Sequence, residues 1–120
     1  AHTLDIKRGG TAAVVQMARL YAIVAGVGEV DTVARIGASQ SVPGAIVSAK
    51  GAEDLLGAYE YLSDLVMKHQ SHQLRAGERP NYHIDPKQLS ERDRAALRDS
   101  FRVIKSLQNA LANTYPVQAV

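Results

Sequence analysis

The first candidate for ligand chemistry in this sequence is the basic, glycine-rich segment Lys7-Arg8-Gly9-Gly10. The segment stands directly before a predicted helix. Two cationic side chains, flexible backbone N–H groups and the positive end of the helix dipole would therefore converge on an anion. It is not a P-loop, because the spacing G-x-x-x-x-G-K-[S/T] is missing. The alternative, which the residues by themselves favour, is a turn that carries two solvated cations.

A second candidate lies on the longest predicted helix, where one inward-facing stripe changes from apolar to polar side chains. The stripe steps by four and three residues through Leu55, Tyr59, Leu62, Val66, His69 and Gln73. This spacing places all six on one helix face. Burying polar groups costs free energy unless they find partners. The polar end therefore predicts either an internal hydrogen-bond network or a wet cleft in which a ligand binds.

Two arginines, Arg19 and Arg35, lie beside apolar positions on the first two predicted helices. An arginine at the edge of a core commonly pairs with a carboxylate, and Asp54 or Glu60 could serve as that partner. The guanidinium fork could instead hold the phosphate or carboxylate of a ligand. The residues favour the ion pair over the ligand.

Neither a metal site nor a catalytic residue is predicted from the residue pattern. His69 and His72 lie one helical turn apart, a spacing that can hold a metal, but no carboxylate stands at a matching position. A structural histidine, hydrogen-bonded across the bundle, is the favoured interpretation. No nucleophile paired with a base is evident either.

The elements that must position these side chains are predicted to be helices. Apolar periodicity and capping residues favour an all-α, up-and-down helical bundle of three long helices and one short helix. The expected helices cover residues 12–26, 32–39, 48–76 and 90–115, the last one ending at Pro116. Candidate N-caps are Thr11, Asp31, Ser48 and Ser90. Residues 3–10 are expected to be extended or irregular, with positive φ allowed at the two glycines.

Composition places limits on the class of protein. The chain has 120 residues, a length typical of one domain, and 14 Lys and Arg against 12 Asp and Glu give a net charge of only +2. The basic residues are scattered and Trp is absent, so nucleic acid is not an expected partner. No apolar run is long enough to span a membrane. The absence of cysteine suits the cytoplasm, and the missing initiator Met suggests a piece of a longer multidomain protein.

Several segments together carry a resemblance to a known family. They are Leu4-Asp5-Ile6-Lys7-Arg8-Gly9-Gly10, Ala18-Arg19-Leu20, Thr32-x-x-Arg35-Ile36, Asp54-Leu55-Leu56-x-Ala58-Tyr59-x-Tyr61-Leu62, Lys68-His69-Gln70-x-x-Gln73-Leu74-x-x-Gly77, Asn81-x-x-Ile84-Asp85-Pro86-x-x-Leu89-Ser90 and Leu97-Arg98-x-Ser100-Phe101-x-x-Ile104. The pattern resembles the C-terminal, substrate-binding-like domain of a family of bacterial nucleotidyltransferases. Those proteins usually carry cyclic-nucleotide-binding and CBS modules and a transferase domain akin to that of PII uridylyltransferases.

The resemblance implies a bundle like the C-terminal domain of kanamycin nucleotidyltransferase, inert alone. The paired aspartates, the Gly-Ser motif and the Mg²⁺ of such enzymes belong to the preceding domain, and no cofactor is expected in this chain. The implied role is a substrate-binding and regulatory domain in cytoplasmic signal transduction, with the upstream nucleotidyltransferase domain as partner and nucleotide as ligand. The candidate binding residues are Lys7, Arg8, Gly9, Gly10, Arg19, Arg35, His69 and Gln73.

A rival hypothesis comes from a different class of protein. In it the bundle is a dimerisation or partner-docking module that binds no nucleotide. Val42, Ile46 and Val47, expected to be exposed in the loop after the short helix, motivate this interpretation. A tight homodimer without nucleotide affinity would favour it.

Overall fold

The computed structural model describes residues 3–114, and these form an all-α bundle with one small antiparallel ladder. The helices are α1 (Ala12–Ala25), α2 (Thr32–Ser39), α3 (Ala49–Arg75) and α4 (Glu91–Thr114). The ladder joins β1 (Leu4–Asp5) to β2 (His83–Ile84), with Leu4 opposite Ile84 and Asp5 opposite His83. The predicted fold class is therefore confirmed. The predicted helix end at Pro116 lies outside the described residues.

Local capping explains where the helices begin and end. The side chains of Asp31, Ser48 and Ser90 each accept a hydrogen bond from the backbone N–H three residues later, at 3.1, 2.9 and 3.1 Å. Each cap satisfies one of the N–H groups that a helix start leaves without a partner. Gly26 and Gly77 end α1 and α3 in the left-handed conformation, with φ of 72° and 74°. The predicted N-caps at Asp31, Ser48 and Ser90 are confirmed.

The start of α1 differs from the prediction. Lys7–Thr11 form a π-helical turn that runs directly into α1, so this part of the arm is neither extended nor irregular. Thr11 has helical dihedral angles, and its side chain makes no capping hydrogen bond. Neither Gly9 nor Gly10 has a positive φ. The prediction was wrong because it explained the two glycines by their ability to adopt a positive φ. Gly10 is instead required for close packing against α3 and α4.

That close packing joins the π-helical turn to the long helices. A Cβ atom at Gly10 would lie 3.2 Å from Cδ1 of Leu62 on α3 and 3.5 Å from Cζ of Phe101 on α4. Gly10 is itself buried. A side chain here would push against a core that is already closely packed, so the turn approaches α3 only because residue 10 has none.

The core lies where α1, α3 and α4 meet. Its largest fully buried side chains are Tyr21, Ile6, Ile36, Leu55, Leu62, Ile104 and Val14. The helices α1, α3 and α4 supply most of these residues, and Leu55 and Leu62 belong to the stripe predicted on α3. The structure differs from the prediction in the loop after α2, where Val47 was expected to be exposed. Val47 is only 2% exposed and belongs to the core. The exposed apolar surface expected at Val47 is therefore not formed there, since the loop folds back onto the bundle.

A polar contact joins α3 to the start of α4. The hydroxyl of Tyr61 donates a hydrogen bond to the carbonyl oxygen of Asp93 at 3.0 Å and to its Oδ1 atom at 3.2 Å. Burial of the phenol, followed by the nearby Asp93 carboxylate, raises the pKa of Tyr61 to about 12. Burial alone raises the pKa of Tyr21 to about 12.

We expect these two tyrosines to make the fold sensitive to alkaline pH. In the unfolded chain a tyrosine loses its proton near pH 10, so its contribution is fully present below about pH 10 and is lost as pH rises towards 12. The free energy of unfolding from urea titrations should therefore fall above about pH 10. Tyr61→Phe should make that fall shallower. A stability that stays constant to about pH 11.5 would contradict this.

Candidate functional site

Three cationic side chains lie along the π-helical turn and α1, beside two adjoining surface depressions. Lys7 borders both depressions, Arg8 borders the first and Arg19 borders the second. The first depression has a volume of about 440 Å³ and the second about 390 Å³. Lys7, Arg8 and Arg19 are all exposed. The structure therefore brings three of the predicted site residues to one surface.

In the first depression, the backbone N–H groups that were predicted to bind an anion already donate hydrogen bonds to a carboxylate of the chain itself, that of Asp5. Oδ1 of Asp5 accepts hydrogen bonds from the backbone N–H groups of Lys7 at 3.0 Å and of Arg8 at 3.2 Å. The hydrogen bond from Arg8 N–H is the main cause that holds the pKa of Asp5 below its usual value. Burial acts in the opposite direction, while the hydrogen bond from Lys7 N–H and the positive charges of His83 and Arg8 also lower the pKa. An ionised Asp5 therefore repels a second anion at this turn.

Of the two glycines, Gly10 lies on the packed side of the turn and Gly9 is exposed. Gly10 is buried against Leu62 and Phe101, and neither Gly9 nor Gly10 borders the two depressions. The structure thus separates the two cations, which face solvent, from Gly10, which faces the bundle. Any contact of this segment with an anion would come from the side chains of Lys7 and Arg8.

The second depression has an aromatic wall that the residue pattern did not predict. Tyr82, in the loop before β2, and Tyr59, on α3, border it together with Lys7 and Arg19. The ammonium nitrogen of Lys7 lies 5.0 Å from the centroid of the Tyr82 ring, a distance typical of a cation–π contact. The carbonyl oxygen of Tyr82 accepts a hydrogen bond from the backbone N–H of Ile6 at 3.0 Å.

The polar end of the α3 stripe holds the loop that carries Tyr82. Oε1 of Gln73 accepts a hydrogen bond from Asn81 N–H at 2.9 Å, and Nε2 of Gln70 donates to the Asn81 carbonyl oxygen at 3.1 Å. Nε2 of His69 lies 3.1 Å from Oδ1 of Asn81, which also accepts from His83 N–H at 3.0 Å. Of the two alternatives raised by the stripe, the structure forms the internal hydrogen-bond network.

This network indicates which ring nitrogen of His69 carries a proton. It also shows that His69 and Gln73, both predicted as binding residues, support the loop. Because His83 N–H donates to Oδ1 of Asn81, that atom is an acceptor, and Nε2 of His69 must carry the proton in their contact. Gln73 is only 7% exposed. His69 and Gln73 thus hold the loop next to the second depression, and they do not border the depression themselves.

Comparison with known proteins identifies the family. Residues 1–115 match the family model described as "Putative nucleotidyltransferase substrate binding domain". The chain belongs to this family. The resemblance drawn from the sequence motifs is thereby confirmed. No curated protein and no solved structure was found to match the chain.

In this substrate-binding domain Arg35 has a local role in the fold. Its Nε donates a hydrogen bond to the carbonyl oxygen of Glu29 at 2.7 Å, which holds the connection between α1 and α2. The predicted ion pair is wrong for both arginines, because among residues 3–114 neither Arg19 nor Arg35 pairs with Asp54 or Glu60, and Asp54 accepts from Lys50 at 2.9 Å. Arg35 borders neither depression, so the structure does not bring it together with Lys7 and Arg19.

The substrate-binding domain shows no cluster of metal ligands within residues 3–114. No three side chains of His, Asp or Glu in this range are placed to hold one ion. In the same range, none of the helices combines the length and apolar character that crossing a bilayer requires. Asp85, which stands directly before Pro86, accepts a hydrogen bond from Lys87 N–H at 3.0 Å and so makes a local turn.

Proposed function

We propose that this domain holds a nucleotide for a nucleotidyltransferase of signal transduction, through Lys7, Arg8 and Arg19. The observation that carries the proposal is the convergence of these three cations beside adjoining depressions, in a chain that belongs to a substrate-binding family. Arginine and lysine side chains are common ligands of phosphate groups, and exposed cations also attract an anion from a distance.

In this proposal the domain supplies positioning and leaves the chemistry to a partner. The described residues offer no set of carboxylates suited to Mg²⁺, so we place the metal and its ligands on a separate nucleotidyltransferase domain of the same protein. Such a domain would transfer a nucleotidyl group to an acceptor hydroxyl while this bundle closes one wall of the cleft. Holding a substrate in a productive geometry is itself a large contribution to rate.

The proposal predicts saturable nucleotide binding without turnover. We expect calorimetric titration of the 120-residue chain with ATP and MgCl₂ to show binding that weakens as salt is added, because exposed charges are screened. Arg19→Gln should weaken this binding about tenfold through the loss of a charge-assisted contact.

Lys50→Gln is the matched control for Arg19→Gln. Lys50 is exposed on α3, about 18 Å along the helix axis from Leu62, which packs beneath the π-helical turn. This control should bind ATP as the unmodified chain does. Turnover of ATP by the chain alone, or equal weakening by both substitutions, would contradict the proposal.

Dimerisation is the second candidate function, and one observation favours it. Ile23 at the end of α1 is 74% exposed, and Val30 in the connection to α2 is 82% exposed. Large apolar side chains left exposed in this way favour an interface with another protein. Sedimentation velocity separates the candidates, since a tight homodimer without affinity for ATP would favour dimerisation.

A further inference from the structure

We propose that the ring of Tyr82 stacks on the base of the bound nucleotide, with its phosphates on Lys7 and Arg19. This inference rests on the proposed function and specifies how the ligand is oriented. It assigns the second depression as the binding site and gives Tyr82 a direct contact that neither the residue pattern nor the family description indicates.

The combination of side chains around the second depression matches the two ends of a nucleotide. Tyr82 and Tyr59 offer aromatic surface, while Lys7 and Arg19 offer positive charge on the same depression. A planar base of any kind can stack on an aromatic ring, and phosphate groups bind cationic side chains. An inorganic phosphate would use only the cationic half of this arrangement.

The electrostatics of the turn favour the second depression over the first. The ionised carboxylate of Asp5 borders the first depression and not the second. Its two hydrogen bonds from Lys7 and Arg8 N–H groups keep it in place there. A ligand that carries several negative charges is therefore better accommodated between Lys7 and Arg19, while Arg8, which borders the first depression, attracts it through its charge without contacting it.

The backbone that carries the Tyr82 ring is held by hydrogen bonds before any ligand arrives. The preceding residue, Asn81, is bonded to His69, Gln70 and Gln73 of α3. The Tyr82 carbonyl is bonded to Ile6 N–H. Binding then requires little further ordering of this loop, which favours affinity.

The cation–π contact places the Lys7 ammonium on one face of the Tyr82 ring. The Lys7 ammonium rests 5.0 Å from the ring centroid, at the end of an exposed and flexible stem. When a base stacks on that face, the ammonium is displaced towards the phosphates of the same ligand. The contact in the free chain is thereby exchanged for a stack and an ion pair.

The test compares three substitutions of Tyr82 with two probes, ATP and inorganic pyrophosphate, in calorimetric titrations with MgCl₂. Tyr82→Leu should weaken ATP binding on the order of tenfold and leave pyrophosphate binding unchanged, because only the base stacks. Tyr82→Phe should keep the ATP affinity, since the ring remains. Tyr82→Trp introduces a fluorophore into a chain without tryptophan, and ATP should quench it saturably.

Met67→Trp, at a position on α3 that is 68% exposed, is the control for non-specific quenching and should show none that saturates with ATP. Equal ATP affinity in the Tyr82→Leu variant and the unmodified chain would overturn the stacking inference while the proposed function stands. Loss of ATP binding in Tyr82→Phe as well as in Tyr82→Leu would also overturn it. If neither ATP nor pyrophosphate binds the unmodified chain, both proposals fail.

Discussion

Leu62→Ala is expected to lower the free energy of unfolding by about 4 kcal/mol, the largest effect of any substitution considered for this chain. Leu62 is fully buried, and its Cδ1 atom lies where the π-helical turn meets α3. Truncation removes buried apolar surface and leaves a cavity that the surrounding helices fill only in part. Urea unfolding followed by far-UV circular dichroism measures the loss.

A double-mutant cycle with Gly10 tests whether the two residues are in the contact described. Gly10→Val alone should cost about 2 kcal/mol, because a Cβ already meets Cδ1 of Leu62 at 3.2 Å. In the Leu62→Ala background the valine enters the vacated space. The combined loss should therefore be smaller than the sum of the single losses by at least about 1 kcal/mol.

Gly9→Ala is the matched control for Gly10→Val. A Cβ at Gly9 would be 3.5 Å from Cε1 of Phe101, an ordinary contact, and the residue is exposed. Alanine there should be neutral or stabilise by up to about 1 kcal/mol through its helix propensity. Additive losses in the cycle, or a penalty at Gly9 equal to that at Gly10, would refute the packing argument.

Gln73→Met should lower the free energy of unfolding by about 2 kcal/mol and loosen the loop around Asn81. The thioether keeps the size of the glutamine side chain but cannot replace the Oε1 acceptor that lies 2.9 Å from Asn81 N. Hydrogen exchange separates this effect from general destabilisation. The Asn81 amide should exchange much faster while amides in the middle of α3 change only with global stability.

The half-buried Gln108 provides a comparison for Gln73→Met, since it lies about 26 Å along the axis of α4 from Glu91, where that helix begins after the loop. Gln108→Met should leave exchange at Asn81 unchanged. If the Gln73→Met variant retains full protection at Asn81, then Gln70 and His69 suffice to hold the loop, and the role assigned to Gln73 is wrong.

The sequence was sufficient for the helices because their signals are local. Asp31, Ser48 and Ser90 cap within three residues, and Gly26 and Gly77 end helices through their own dihedral angles. The glycines of the π-helical turn could not be interpreted in this way. What requires Gly10 is the approach of Leu62, which is 52 positions away in the chain and visible only in three dimensions.

The sequence indicated the cationic residues of the candidate site but did not indicate its aromatic wall. Lys7, Arg8 and Arg19 are recognisable by residue type, and the structure places them on one surface. Tyr82 gave no signal of its own, because its position depends on hydrogen bonds between Asn81 and α3. The polar end of the α3 stripe was an indirect sign that a loop packs there, because inward-facing polar groups need hydrogen-bond partners. The sequence did not identify those partners.

The hydrogen bond from Ile6 N–H to the Tyr82 carbonyl couples the entry of the chain to the wall of the second depression. Lys7 follows Ile6 directly, so the ammonium and the ring lie on two neighbouring stretches of backbone that this bond joins. A substitution that breaks the bond would therefore disturb the cationic and the aromatic side of the depression together.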